Sequence, residues 1–108
     1  LIKFSKLNNN KKCRICLHKT KKEKLHNMVV LLNKENQAYP HQHTNSDEIY
    51  QIISGSIKIF SYSKKIKLKK MFLLSKKNII FKINKKNIHK IEPITKIAIF
   101  HEIKFGKY

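Results

Sequence analysis

The sequence predicts a mainly β chain: a small barrel of short strands in a single domain, with one short helix ahead of it. Three observations carry this. After Pro40 the apolar residues fall into six short runs, 49–53, 56–62, 66–74, 79–83, 88–91 and 96–103, rich in Ile, Phe, Leu and Tyr. Clusters of Asn, Ser and Lys, such as 62–65 and 84–87, separate the runs and serve as turns in place of the scarce Gly and Pro. Before Pro40, helical spacing occurs over 21–32. There Thr20-Lys21-Lys22-Glu23 reads as a capping box, and Leu25, Met28, Val29 and Leu32 repeat at i, i+3, i+4 and i+7. The apolar stripe of that helix is expected to pack on the barrel, and His26, among lysines, to be solvated.

A chain of 108 residues can bury about two thirds of its unfolded surface around one core, and it has no room for a second. Residues 1–12 therefore read as an N-terminal arm and 13–108 as one domain. No window approaches the ~18 apolar residues of a membrane span, and 1–12 lack the apolar stretch of a signal peptide, so the cytoplasm is the expected compartment. Cys13 and Cys16 form an isolated C-x-x-C. On a strand, positions i and i+3 lie about 10 Å apart, beyond disulfide reach, and no second pair completes a zinc site, so both read as reduced structural cysteines.

A formal net charge of +19 would ordinarily direct attention to nucleic acid or an anionic membrane surface. Here the composition argues against a specific polyanion site. Lysine, isoleucine and asparagine make up nearly half the chain and share A/T-rich codons, so the charge reads as a compositional bias spread over a solvated surface. Arg14 is the only arginine, whereas bidentate phosphate and guanine contacts favour arginine. Aromatics interleaved with a basic stripe, as single-strand binders use, are missing. The positive field is nonetheless expected to draw anionic small molecules.

The chemistry concentrates directly after Pro40. His41 and His43 stand at i, i+2, so on a strand both imidazoles share a face and can meet one ion. Four residues then separate His43 from Glu48, enough for a turn that returns a carboxylate to the same place. Gly55 lies between two β runs, where a hairpin needs a residue free to take positive φ. His89 lies on a later run next to Ile88 and close to Ile91; taken alone it reads as a core histidine. Imidazoles with one carboxylate suit a borderline divalent first-row metal. Asp47, next to Glu48, should face the other way, as a solvated carboxylate or one that orients a ligating histidine. His101 precedes Glu102 on the last run, and one of the two must face inward.

The pattern H-x-H, four residues, E, six residues, G over His41, His43, Glu48 and Gly55 resembles the first motif of the cupins. The second cupin motif would fall on Asn84, Lys86 and His89, where only the histidine survives. A closer resemblance is to the WbuC-type cupin metalloproteins, from about Cys13 to Tyr108. Arg14 and His18 match an early R-x-x-x-H, the 25–32 stretch a short helix, Pro40 to Glu48 a P-H-x-H…D-E, and Glu102, Gly106 and Tyr108 a closing E-x-x-x-G-P-Y in which Lys107 replaces the proline. The resemblance implies a small cupin barrel, a double-stranded β-helix with one N-terminal helix. It also implies one divalent transition metal (Fe, Mn, Zn, Ni or Co) held by His41, His43, Glu48 and His89, with Arg14, His18, Asp47 and His101 bordering the pocket.

Such a Lewis-acid site can polarise a carbonyl, stabilise an enediolate or acidify water. No separate catalytic base is assignable. The leading expectation is a metal-dependent isomerase or epimerase acting on a sugar or sugar nucleotide in surface-polysaccharide (O-antigen or capsule) synthesis, which the family's gene context implies. A non-catalytic metal-dependent sensor or sugar-binding module is the alternative, followed by a dioxygenase and then a polyanion binder. Expected partners are an anionic or oxygen-rich small molecule and a second copy of the chain in a homodimer, without specific nucleic acid or a membrane span.

Overall fold

The computed structural model describes residues 13–17, 22–35, 39–42 and 46–105, and these hold nine strands and no helix. In chain order they are β1 (Cys13–Cys16), β2 (Leu25–Asn33), β3 (His41–Gln42), β4 (Asp47–Ser54), β5 (Ile57–Tyr62), β6 (Leu68–Leu74), β7 (Ile80–Ile83), β8 (Ile88–Pro93) and β9 (Ile97–Phe105). The six runs expected after Pro40 are β4 to β9, displaced by no more than a few residues at their ends. The arm 1–12 lies outside the described residues.

The strands pair antiparallel in two sheets, one in the order β1-β2-β9-β4-β7 and one in the order β3-β8-β5-β6. Period-two alternation turns one face of each sheet inward. From the first sheet come Met28, Val30 and Leu32 of β2, Tyr50 and Ile52 of β4, Ile83 of β7, and Ala98 and Phe100 of β9; the second supplies Ile57 and Ile59 of β5 and Leu74 of β6. These side chains form one core between the sheets, so the molecule is a β sandwich of the double-stranded β-helix kind.

Residues 25–33 form a strand, which corrects the helix expected over 21–32. Met28 to Leu32 is an unbroken apolar run, compatible with either period, and Val29 and Val30 are β-branched. Tertiary pairing decides: β2 exchanges partners with β9 along all nine of its residues, and β1 covers its other edge. The inward set becomes His26, Met28, Val30 and Leu32, so His26, expected in solvent, is buried.

Gly55 sits in the turn from β4 to β5 at φ +77°. Thr95, in the β8–β9 turn, ties that corner together: its hydroxyl donates to the Ile97 carbonyl (2.7 Å) and accepts from the Ser56 N–H (3.2 Å). A Cβ on Gly55 would press on the Thr95 hydroxyl and come 2.6 Å from the Ile97 carbonyl oxygen. Gly55→Ala is therefore expected to cost about 3 kcal/mol, or roughly 10–20 °C in Tm, from left-handed strain plus the clash. An unchanged melting temperature would refute this reading of the corner. The Lys/Asn turns expected at 62–65 and 84–87 appear with Ile66 (φ 59°) and Lys86 (φ 70°) in the left-handed region that glycine would otherwise occupy.

Candidate metal centre

Three chain segments distant in sequence converge at one end of the sandwich. β3 pairs with β8 so that His41 lies opposite His89, and the two rings meet edge to face with centroids 4.2 Å apart. Glu48 enters from the facing sheet as the first inward residue of β4, buried, with its Oε2 3.7 Å from Nε2 of His89. One ligand atom from each of His41, Glu48 and His89 lies within 4.8 Å of the other two. His43, expected as a fourth member, lies outside the described residues, as do His18 and residues 106–108.

Both imidazoles are oriented by backbone carbonyls through their Nδ1 atoms. Nδ1 of His41 lies 3.2 Å from the Tyr39 carbonyl and Nδ1 of His89 lies 3.1 Å from the Asn87 carbonyl. A carbonyl only accepts, so each Nδ1 carries a hydrogen, and in the neutral ring the lone pair then lies on Nε2. Backbone contacts of this kind commonly fix the tautomer of metal-ligating histidines. Partial burial of the His41 ring and the neighbouring His89 hold its pKa below the usual 6.5, favouring the neutral form an ion requires. The donor set suits one divalent transition metal.

The pH dependence follows. Because the folded-state pKa of His41 is depressed, the unfolded chain takes up that proton at a higher pH than the folded chain. Metal-free stability therefore falls as pH drops from 6.5 toward the folded-state value. Ion affinity is expected to hold near neutrality and to decline as imidazoles protonate, which ion titrations between about pH 7.5 and about pH 5 would measure. An affinity flat across that range would exclude histidine ligation.

Behind Glu48 lies a buried polar layer on the inner face of the first sheet. The Tyr50 hydroxyl, two residues along β4, donates to Oε2 of Glu48. Burial, with the Glu102 and Glu48 carboxylates nearby, pushes the Tyr50 hydroxyl well above its usual 10, so it stays a donor. Lys104 of β9 is in register with Glu48, its Nζ 3.9 Å from Oε1. Of the pair on the last strand, Glu102 faces inward and is buried, which raises its pKa. His101 points the other way, with Nε2 3.3 Å from the Asn27 side-chain oxygen.

A cavity of about 240 Å³ opens beside His89. Phe72 and Phe81, ring centroids 4.3 Å apart, form part of its wall, and Lys69, Lys70, Lys82, Asn84 and Asn87 supply its polar lining. Arg14, Asp47 and His101 are not among the residues that line this cavity. Arg14 is exposed on β1. Asp47 instead anchors the turn after β7, accepting the Lys85 N–H (2.7 Å) and standing 3.8 Å from Lys82. Sequence reasoning missed Tyr50, Lys104 and the cavity lysines. Tyr50 was within reach, since i+2 from an inward Glu48 is also inward on a strand; Lys104 follows once Glu102 is known to face in.

This architecture defines the molecule as a cupin-fold protein. Among solved structures it resembles iron(II) HppE in complex with its substrate (TM-score 0.72, 19% identity over 87% of this chain and 54% of that one). It also resembles KdgF from Halomonas sp. (0.72, 15%, 90% and 82%) and the cupin domain of Schizosaccharomyces pombe Cnp3 (0.67, 17%, 89% and 65%). At such identities the likeness is one of fold, and the chain spans about half the length of HppE. No curated protein matches it in sequence. Residues 1–74 match the family described as Domain of unknown function (DUF6016), and the chain belongs to that family. Among the described residues no helix is long and apolar enough to cross a membrane.

Proposed function

We propose that this chain is a WbuC-type cupin whose His41, His43, Glu48 and His89 hold one divalent transition metal, and that it acts on an anionic, oxygen-rich small molecule in surface-polysaccharide synthesis. The observation that carries this reading is the convergence of the three described ligand atoms within 4.8 Å, beside a cavity with three lysines in its lining. An ion there would supply Lewis acidity toward a carbonyl or hydroxyl oxygen. The chain's own residues bind and orient: Lys69, Lys70 and Lys82 meet carboxylate or phosphate oxygens, Asn84 and Asn87 hydrogen-bond hydroxyls, and Phe72 with Phe81 offer an apolar face to a sugar ring or base. Isomerisation or epimerisation of a keto-sugar nucleotide is the reaction that matches this combination. Residues 13–108 are taken as the cupin domain, in a cytoplasmic setting.

A second reading, a non-catalytic sugar-binding or sensor module, draws support from the same lining. Lysine, asparagine, serine and phenylalanine bind anions and rings more readily than they relay protons at a carbon centre. Elemental analysis of the purified protein is expected to give about one metal per chain, and citrate, phosphate or a sugar nucleotide to bind the loaded protein at millimolar concentration or below. Turnover of a keto-sugar nucleotide that chelation abolishes would favour the enzyme; binding without turnover would favour the module. A loaded protein that binds none of these ligands would defeat both.

A further inference from the structure

Lys104 is out of place for a lysine in this chain. Most lysines among the described residues are exposed, whereas Lys104 follows Ala98, Phe100 and Glu102 along the inward face of β9, its side chain only 13% exposed. Register sets it in a row across the first sheet, with His26 of β2 on one side and Glu48 of β4 on the other. The two oxygens of Glu48 are thereby divided. Oε2 faces Nε2 of His89 and accepts from Tyr50, while Oε1 faces the Lys104 ammonium at 3.9 Å. That distance lies beyond a hydrogen bond, so Lys104 acts on Glu48 through charge, and the orienting contact belongs to Tyr50.

Resting on the metal-centre reading above, we infer that Lys104 sets the specificity of the site: it neutralises Glu48 from the side away from the ion, which makes ion binding weaker and anion binding at the ion stronger. Neutral imidazoles and one carboxylate would leave a divalent ion with a net charge of about +1; adding the lysine restores about +2 in a poorly solvated setting. The ligand class selected is one with a carboxylate or phosphate placed on the ion itself. Neutral sugars gain little from that charge.

Cobalt(II) as a spectroscopic probe tests this with two readouts of opposite sign. Lys104→Met is expected to bind Co²⁺ at least about tenfold more tightly than the unaltered protein, because a like charge near the ion is gone. The cobalt-loaded variant is expected to bind inorganic phosphate and citrate about tenfold more weakly, read from the visible absorption of the ion, with glycerol binding unchanged. Lys104→Arg keeps the charge and should resemble the unaltered protein in both respects. Lys104→Gln, which keeps a polar group on the row, serves as a second neutral variant should Lys104→Met fail to fold, and circular dichroism establishes folding. A purely structural role for Lys104 would weaken Co²⁺ and anion binding together, and that result would overturn the inference. So would neutral variants that bind Co²⁺ no more tightly. Failure of the unaltered protein to bind Co²⁺ would instead remove the metal-centre reading itself.

Discussion

Glu48→Ala is expected to lower metal affinity by roughly a hundredfold to a thousandfold and to destabilise the metal-free protein by about 3 kcal/mol. The first figure follows from an apparent binding free energy of about 10–16 kcal/mol shared over about four ligands. The second follows from burial: Glu48 is 1% exposed, and its removal leaves Lys104 without the Glu48 charge in a poorly solvated layer. His41→Ala separates the two effects. His41 sits exposed on a two-residue edge strand, so its loss should cost comparable metal affinity yet change folding stability by only about 0.5 kcal/mol. Elemental analysis beside urea melting of the metal-free variants decides this. Full metal retention by His41→Ala would remove that residue from the site, and a Glu48→Ala variant as stable as its parent would show that the Lys104 pairing carries little energy. The buried partners of Glu48 are the reason to expect the two variants to differ.

Tyr50→Ala is expected to be the most damaging single truncation, about 3–5 kcal/mol, which would exhaust much of the roughly 5–15 kcal/mol that holds a domain of this size folded. Tyr50 is completely buried, with its ring edge to face against Phe100 at 5.6 Å and 6.4 Å from His89. It thus joins the apolar core to the polar layer. Tyr50→Phe keeps the ring and removes the donor to Glu48, so its cost should be about 1–3 kcal/mol, together with looser metal binding. Urea midpoints at unchanged slope measure both. A Tyr50→Ala loss below about 1 kcal/mol would mean that the core closes over the gap, contrary to this packing.

Much of the fold was legible because its signals are local. Alternation over 49–53 and 56–62 marks strands that bury one face, and Gly55 marks a turn at a positive φ that glycine takes without strain. The spacing of His41 and Glu48 predicted a common destination, and the structure brings them together with His89. Residues 25–32 misled because a continuous apolar run has no distinctive period, and the helical count of Leu25, Met28, Val29 and Leu32 was as good as the strand count. Nothing within those residues encodes the presence of β9 alongside.

By itself, then, the sequence determined which segments alternate, where the chain must turn, and which side chains are chemically able to hold an ion, since each depends on neighbours within a few residues. Only the tertiary structure decided that 25–33 is a strand, that Glu102 rather than His101 faces inward, that Lys104 stands beside Glu48, and that Lys69, Lys70 and Lys82 share a cavity with His89. Those outcomes rest on pairing and register between strands far apart in the chain. A one-residue shift there would exchange every inward side chain for an outward one, and no local pattern in this sequence fixes that choice.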